Sequence, residues 1–495
     1  MTGLAGKGIA AAKWSAVLTV ARFMLQLVAQ VFLARLLGPD NYGIFGMGLI
    51  VFLLSTFLTE FGFGMYLLQR PTVRDEDIRF VFSWQILIGA IASLVIFLSA
   101  PWVAAYFQDA RVVPVLQWMS LGALLNAAGA LATVLLYRDL NFRAIGLIEL
   151  GSYFLGFLCV GTTLALYGFG VTTLVAAWLT QALTKLVALK LIRPHVWRPL
   201  FRHPDSALIF STGRKVFSTQ LLTWVLSNLD RVIIGRLLSA HAVGVYNIGF
   251  NLASTAGSLF LNALAPAFLS SGARVDQDTA RLGPVYLQVL ASIWIFITPA
   301  FVMLAFLSND IVLILYGDEW GAAGLVLCAL FATAPALLTL GLSTPILWNT
   351  GRGQDETWLQ IPIVLLAVPA LILAARHGIA TVAWTVGGIS VLRAFVVSTA
   401  ACRLVGLTLR QVLPQLLRGA GLCVLVVVAA IASESLASMA GSRLASISLT
   451  CVLPVVLVVA LSILRPAVLG DAATAMALRI MPRLARWLPV RETAG

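Results

Sequence analysis

The sequence predicts an all-α, polytopic membrane protein of about 14 transmembrane helices: two six-helix lobes related by an internal repeat, plus two extra C-terminal helices. Three observations carry this prediction. First, 60% of the 495 residues are hydrophobic and only 11% are charged, far too apolar for a soluble protein. Second, apolar runs of about 20 residues, each enough to cross roughly 30 Å of hydrocarbon, recur along the chain. Third, a polar helix stripe in the opening run returns 201 residues later in the same register. No polar segment is long enough for an independent soluble domain, which weighs against most enzymes.

In chain order, Lys7 and Lys13 precede a run to Leu37 that is too long and too studded with polar residues to be the core of a cleaved signal peptide, so it is read as span one. The sequence Gly38-Pro39-Asp40-Asn41-Tyr42-Gly43 stops that helix and lets the next begin. Span two then covers 42–68, a charged loop 70–79, and further spans 80–105, 113–137, 145–167 and 170–191. Between 185 and 215 lie Lys185, Lys190, Arg193, Arg198, Arg202, Arg214 and Lys215, interrupted by Pro194, Pro199 and Pro204; this is read as a basic linker. The second lobe repeats the plan with spans 208–237, 242–268, 284–307, 321–346, 357–375 and 379–402, and an acidic outer turn Tyr316-Gly317-Asp318-Glu319-Trp320. Spans 415–436 and 446–464 have no counterpart in the first lobe. After Arg465 the tail is amphipathic, with Arg479, Arg483 and Arg486 on one face and Ile480, Leu484, Trp487 and Leu488 on the other. The expected divisions are therefore an N-terminal lobe 1–192, a linker 193–207, a C-terminal lobe 208–405, two added helices 406–466 and a basic tail 467–495.

The formal charge of +13 suggests nucleic acid only until its placement is considered. Most of the 33 Lys and Arg fall in alternate loops and the tails, the positive-inside asymmetry, which puts both termini in the cytoplasm and leaves no nucleic-acid partner to infer. The five cysteines sit in or beside apolar runs and read as small core residues. No Walker loop, dinucleotide glycine motif after a strand, or His-Glu-x-x-His occurs, and His195, His203, His241 and His377 are scattered through predicted loops. No metal or cofactor is expected, nor transport driven by the chain's own ATP hydrolysis.

The repeated stripe supplies the candidate site. Gln220, Thr223, Trp224, Ser227, Asn228 and Arg231 share one helix side, with Asp230 at its edge. Thr19, Arg22, Gln26 and Gln30 correspond to Gln220, Thr223, Ser227 and Arg231. The register continues through Arg35-Leu36-Leu37, Gly43 and Gly48, which match Arg236-Leu237-Leu238, Gly244 and Gly249, and reaches Asp75 and Asp77 against Asp276 and Asp278. Such a repeat is the pattern from which two-lobed transporters are built. A charge at mid-membrane depth costs about 2.5–3.5 kcal/mol on insertion scales, so Arg22, Arg231 and Arg393, together with Glu60, Glu149 and Asp230, need a reason to be there. One reading is a cationic cavity lined by Arg22, Gln26, Gln30, Asn228, Arg231 and Arg393, in which guanidinium groups bind phosphate bidentately and amides meet sugar hydroxyls. The other is interhelical pairing and polar glue. Asp230 and Glu60 are candidate coupling groups, or members of fixed structural pairs. Arg35 and Arg236, at matching outer helix ends, either receive an anionic headgroup at an outer mouth or cap the helices through their dipoles.

These residues resemble a known family. Ala34-Arg35-Leu36-Leu37-Gly38-Pro39-Asp40-Asn41-Tyr42-Gly43, Asn228-Leu229-Asp230-Arg231 followed by Ile234-Gly235-Arg236-Leu237-Leu238, and Tyr316-Gly317-Asp318-Glu319-Trp320 look like the Wzx-type polysaccharide transporters of the multidrug, oligosaccharidyl-lipid and polysaccharide exporter superfamily. The second-lobe turn, Ser239-Ala240-His241-Ala242-Val243-Gly244, departs from it in lacking Gly-Pro. The resemblance implies a bacterial inner-membrane flippase. Its cargo would be an undecaprenyl-diphosphate-linked oligosaccharide, moved by alternating access for exopolysaccharide, capsule or O-antigen assembly. Its partners would be membrane lipids, a polysaccharide polymerase and a chain-length regulator. Alternatives are a drug or peptidoglycan-precursor exporter of the same superfamily, and a membrane-embedded polymerase.

Overall fold

Gly38 and Pro39 decide the course of the first helix. α1 (Thr2–Glu60) is continuous in sequence but double in geometry: Gly38 takes φ 71° and ψ 171°, and Pro39 has no N–H to offer the helical ladder. The Asn41 amide donates to the Leu37 carbonyl at 2.6 Å, satisfying an acceptor beside the break. The expected span 42–68 is corrected at its end. The helix stops at Glu60, Phe61 and Gly62 take positive φ, and a short α2 (Phe63–Gln69) follows. Gly62 lies where a Cβ would meet the Gly213 Cα and Val216, so the chain turns where the later helix carrying those residues passes.

The computed structural model describes residues 2–272, 279–350, 352–438, 450, 452–453 and 456–457, and among them every regular element is helical. After α2 come α3 (Asp75–Phe107), α4 (Val112–Arg138), α5 (Phe142–Tyr153) running through a π-helical stretch into α6 (Thr162–Leu166), α7 (Val171–Ile192), α8 (Ser206–Leu237) and α9 (Ala240–Gly272). Ten candidate membrane spans lie among the described residues, the first a 44-residue stretch containing both opening spans, and the chain is a multi-pass membrane protein. Span 446–464 and the tail lie almost wholly outside the described residues, as do Asp276 and Asp278.

The first compact unit is Met1–Asn247. Within it, α1 and the start of α9 cross at glycines. A Cβ on Gly43 would stand 1.7 Å from the Ala240 carbonyl oxygen, and one on Gly244 would stand 2.0 Å from the Pro39 carbonyl oxygen. Ala240 is Pro39 displaced by 201 residues, and Gly244 is Gly43 displaced by the same amount. The two contacts are thus one contact made twice, as a two-fold relation between repeats produces. Gly46 faces Asn247, its own counterpart at that offset. His241 was expected in a loop; instead it lies in α9, where the Ala242 N–H donates to the capping Ser239 hydroxyl oxygen at 3.2 Å.

The predicted linker is strapped to the start of α3. The Leu200 N–H donates to Ser83 at 2.8 Å, Arg79 donates to the Arg198 carbonyl at 3.1 Å, and His203 sits 3.3 Å from Asp77, both side chains being buried. Asp77 also accepts from the Tyr66 hydroxyl and from the Arg74 N–H, closing the first turn of α3. At the other end of the strap, Lys190 lies 3.0 Å from His195 and 3.6 Å above the Trp197 ring. Burial first, and Lys190 second, push the His195 imidazole below its ordinary 6.5. The undocked segment therefore binds a proton more tightly, so docking is strongest above pH 6.5 and weakens as pH falls below it. Amide exchange across 195–200, corrected for intrinsic rate, should accelerate between about pH 7.5 and 5.5 in the native chain and lose that pH response in His195→Asn.

The second unit, Ile248–Gly495, contains α10 (Thr279–Ser292), a π-helical turn, α11 (Thr298–Phe306), α12 (Ser308–Tyr316), α13 (Gly321–Asn349), α14 (Gly353–Ala375), α15 (Ile379–Leu404) and α16 (Leu409–Ser438). α13 packs along α15, and α14 along α15. Hydroxyls join α13 to α10 and to α15: Ser343 lies 2.8 Å from the Tyr286 hydroxyl and 3.0 Å from Ser398. The acidic turn predicted at Tyr316–Trp320 folds as a single 3₁₀ turn after Gly317, with Trp320 buried.

Candidate functional site

A cavity of about 510 Å³ opens within the first unit. The end of α1 gives it Glu60, α3 gives Gln85, α4 gives Asn126 and Tyr137, α7 gives Lys185 and α8 gives Gln220. Gln85 is 1% exposed, and its Oε1 has no hydrogen-bond partner among the described residues. A buried amide oxygen left unsatisfied costs about 1–3 kcal/mol, so this one faces a place where a donor belongs. With amides, hydroxyls, one ammonium, one carboxylate and aromatic edges, the lining suits a polyhydroxylated molecule of moderate size.

Two charged residues line the cavity, Glu60 and Lys185, and Lys185 belongs to an ion-pair trio. Arg22 pairs with Glu149, and Lys185 reaches the other Glu149 oxygen at 3.6 Å. One carboxylate serves two cations, which leaves a positive charge over in this trio. Arg22 itself is half-buried behind the wall, and it reaches the cavity through Glu149 and Lys185. Lys185 opens the basic segment 185–215 and falls within the expected span 170–191, and it lies inside α7. Glu60 lies on the cavity wall, exposed. Gln26 and Gln30 are half-buried farther along α1, and the Gln30 Nε2 is buried without a partner among the described residues.

The α8 residues form a second group. Asn228 is buried; its amide donates to the Trp224 carbonyl at 3.0 Å, and its oxygen accepts from Arg231 at 3.1 Å. The Trp224 indole donates across to the Ile50 carbonyl at 3.2 Å. Asp230 is buried, accepting from the Tyr246 hydroxyl at 2.5 Å and from the Arg231 N–H at 2.8 Å. Arg236 donates to the Tyr106 carbonyl at 2.9 Å, tying the end of α8 to the end of α3, and Arg35 is exposed on α1 just before the kink.

Arg393 lies in the second unit, within a buried network that sequence reasoning missed. It donates to the Gln360 oxygen at 2.7 Å, and the Gln360 amide donates to Glu356 at 2.8 Å. Thr344 and the Trp348 indole also donate to Glu356, at 2.8 and 2.7 Å. Glu356 and Gln360 are 8% and 7% exposed. Their spacing of four residues at the start of an apolar run was the available signal. Gln85 was missed because one glutamine in a long apolar helix does not reveal its face. Among the described residues, no group of three or more His, Cys, Asp or Glu could hold a metal ion.

Comparison with known proteins agrees with this architecture. Over 324 residues the chain is 24% identical to the lipopolysaccharide biosynthesis protein WzxC of Escherichia coli K12, a match spanning 64% of each chain and so less than two thirds of WzxC. It is 22% identical over 391 residues to the teichuronic acid biosynthesis protein TuaB of Bacillus subtilis, covering 77% of this chain and 79% of TuaB. In fold it is similar to the inward closed conformation of the lipid II flippase MurJ. The TM-score there is 0.72 at 14% identity, with 89% of this chain and 97% of MurJ covered. The model of a family described as polysaccharide biosynthesis protein matches residues 32–324, more than half of the sequence, and the chain belongs to that family.

Proposed function

We propose that this protein is a flippase that carries lipid-linked oligosaccharide repeat units across the bacterial inner membrane by alternating access, with both termini in the cytoplasm. The observation that carries the reading is the cavity of the first unit. It sets an unsatisfied buried amide oxygen at Gln85 beside the Lys185 ammonium, which the Arg22–Glu149 pair backs and Glu60 faces from the wall, so one chamber offers hydrogen bonds for sugars and an ammonium for a diphosphate. Names among the relatives support it: WzxC is called a lipopolysaccharide biosynthesis protein, TuaB a teichuronic acid biosynthesis protein, and a Rhizobium meliloti relative, 23% identical over 365 residues, the succinoglycan biosynthesis transport protein ExoT.

In this proposal Lys185, with Arg22 behind it, attracts the diphosphate; Gln26, Gln30, Asn228 and Arg231 serve the substrate in the first unit, and Arg393 serves it in the second. Glu60 or Asp230 couples movement to an ion, and Arg35 and Arg236 stand at the outer mouth. A polysaccharide polymerase and a chain-length regulator are the proposed partners downstream. The test is leaflet-resolved detection of a fluorescent undecaprenyl-diphosphate oligosaccharide in vesicles with and without the protein. Protein-dependent appearance in the opposite leaflet is expected, and no difference between the vesicles refutes the proposal. The fold likeness to MurJ favours one rival, so lipid II belongs in a parallel arm, where faster movement than the oligosaccharide would make the rival the better reading.

A further inference from the structure

We propose that a trough between α1 and α5 seats the prenyl chain of the cargo while its diphosphate end lies toward Arg22 and Lys185. This second cavity of the first unit has a volume of about 600 Å³. Its lining is apolar throughout, with Met24, Leu25 and Val28 from α1 and Leu147, Gly151 and Phe154 from α5. The lining runs from Ala21 to Val28 on one helix and from Leu147 to Phe154 on the other, about 10 Å along each at about 1.5 Å per residue.

The glycines of this region show that the trough is built into the packing. A Cβ on Gly146 would stand 2.7 Å from Leu18, so α5 presses on α1 before the trough begins. A Cβ on Gly156 would stand 2.5 Å from the Ala177 carbonyl oxygen, and one on Gly161 would stand 3.4 Å from Leu33, so the chain presses on α7 and on α1 again beyond it. Midway, a Cβ on Gly151 would meet nothing within 4 Å. Glycine is a poor helix residue, and close packing accounts for it at 146 and 156. At 151 the missing side chain leaves the trough open instead.

Polar groups at its edge say which hydrocarbon belongs there. The Arg22–Glu149 pair ties α1 to α5 beside the trough, and Lys185 reaches the same carboxylate from the wall of the larger cavity. The Arg22 Nε is buried and has no partner among the described residues, so an acceptor belongs next to it. Within a bilayer no hydrophobic gain separates one lipid chain from another, and the choice falls to packing and to the polar end the chain carries. Apolar trough, unsatisfied guanidinium donor and cavity ammonium follow one another in the order in which a prenyl chain, its diphosphate and its sugars are joined. The assignment of the chain rests on the function proposed above.

The test is to irradiate the full-length protein in nanodiscs with undecaprenyl diphosphate that carries a diazirine on an isoprene unit near the diphosphate, and to map the adducts by mass spectrometry. Adducts should concentrate in 21–28 and 147–154, and unlabelled undecaprenyl diphosphate should compete for them far better than phosphatidylglycerol. Gly151→Leu exchanges a poor helix former for a good one, and its Cβ meets no atom within 4 Å, so the variant should fold. Its side chain occupies the trough, and the adducts should fall by about fivefold or more. Gly388→Leu, equally open but on α15, should keep them. Absence of adducts in these segments, equal competition by phosphatidylglycerol, undiminished adducts in Gly151→Leu, or the same loss in Gly388→Leu overturns the proposal. Flipping in the leaflet-resolved assay without these adducts refutes the trough alone, whereas adducts without flipping refute the transport reading and leave the trough standing.

Discussion

Gly43→Ala and Gly244→Ala should each lower the thermal midpoint of the detergent-solubilised protein by on the order of 5 °C or more, and by similar amounts. A Cβ at either position falls within 2.0 Å of a backbone carbonyl oxygen, of Ala240 in one case and Pro39 in the other. Backbone cannot rotate aside as a side chain can, so α1 and α9 would have to part. Overpacking ordinarily costs about 1–3 kcal/mol and more where main chain must move, and each kcal/mol is worth about 2–4 °C in a domain of roughly 150–250 residues. The control is Gly257→Ala, which meets nothing within 4 Å and exchanges a poor helix former for the best one, so its midpoint should hold or rise. Equal midpoints for all three variants would mean that the crossing is not close-packed.

Lys185→Gln should cut translocation of the diphosphate-linked cargo at least tenfold while leaving membrane insertion intact. Arg22 and Glu149 balance each other, and Lys185 is the ammonium on a cavity wall that also carries the Glu60 carboxylate. A unit charge about 5 Å from a phosphate oxygen, at an effective dielectric near 20, contributes about 3 kcal/mol of attraction, of which screening by water in the open chamber removes part. Lys185→Arg keeps the charge and should retain most of the rate. The leaflet-resolved assay measures both, and native rates in Lys185→Gln would show that this wall does not hold the diphosphate.

How much of this was legible in the sequence depended on the range of the forces involved. Span positions were readable because hydropathy is local: 113–137 was expected where α4 runs Val112–Arg138, and 379–402 where α15 runs Ile379–Leu404. The repeat was legible in the shared 201-residue offset, and it reappears in space as the paired glycine contacts. Partners were not legible. Asp230 finds Tyr246 around a turn, Arg22 finds Glu149 more than a hundred residues away, and the break at Phe61–Gly62 answers a helix that passes much later in the chain. Lys185 falls near the end of the expected span 170–191 and Glu356 just before the expected span 357–375, so each stands at the edge of an apolar run. Whether such a residue turns inward is settled by the neighbours its helix packs against, which hydropathy does not encode.

The glycine crossing also constrains biosynthesis. Pro39 and Gly43 meet Ala240 and Gly244 only after about 200 further residues have left the ribosome. Until then the nascent first helices lack the main chain that later fills this crossing. Completion of the early half is therefore tied to translation of the late half, and a chain truncated before residue 240 would reach the membrane with that seam exposed to quality-control proteases.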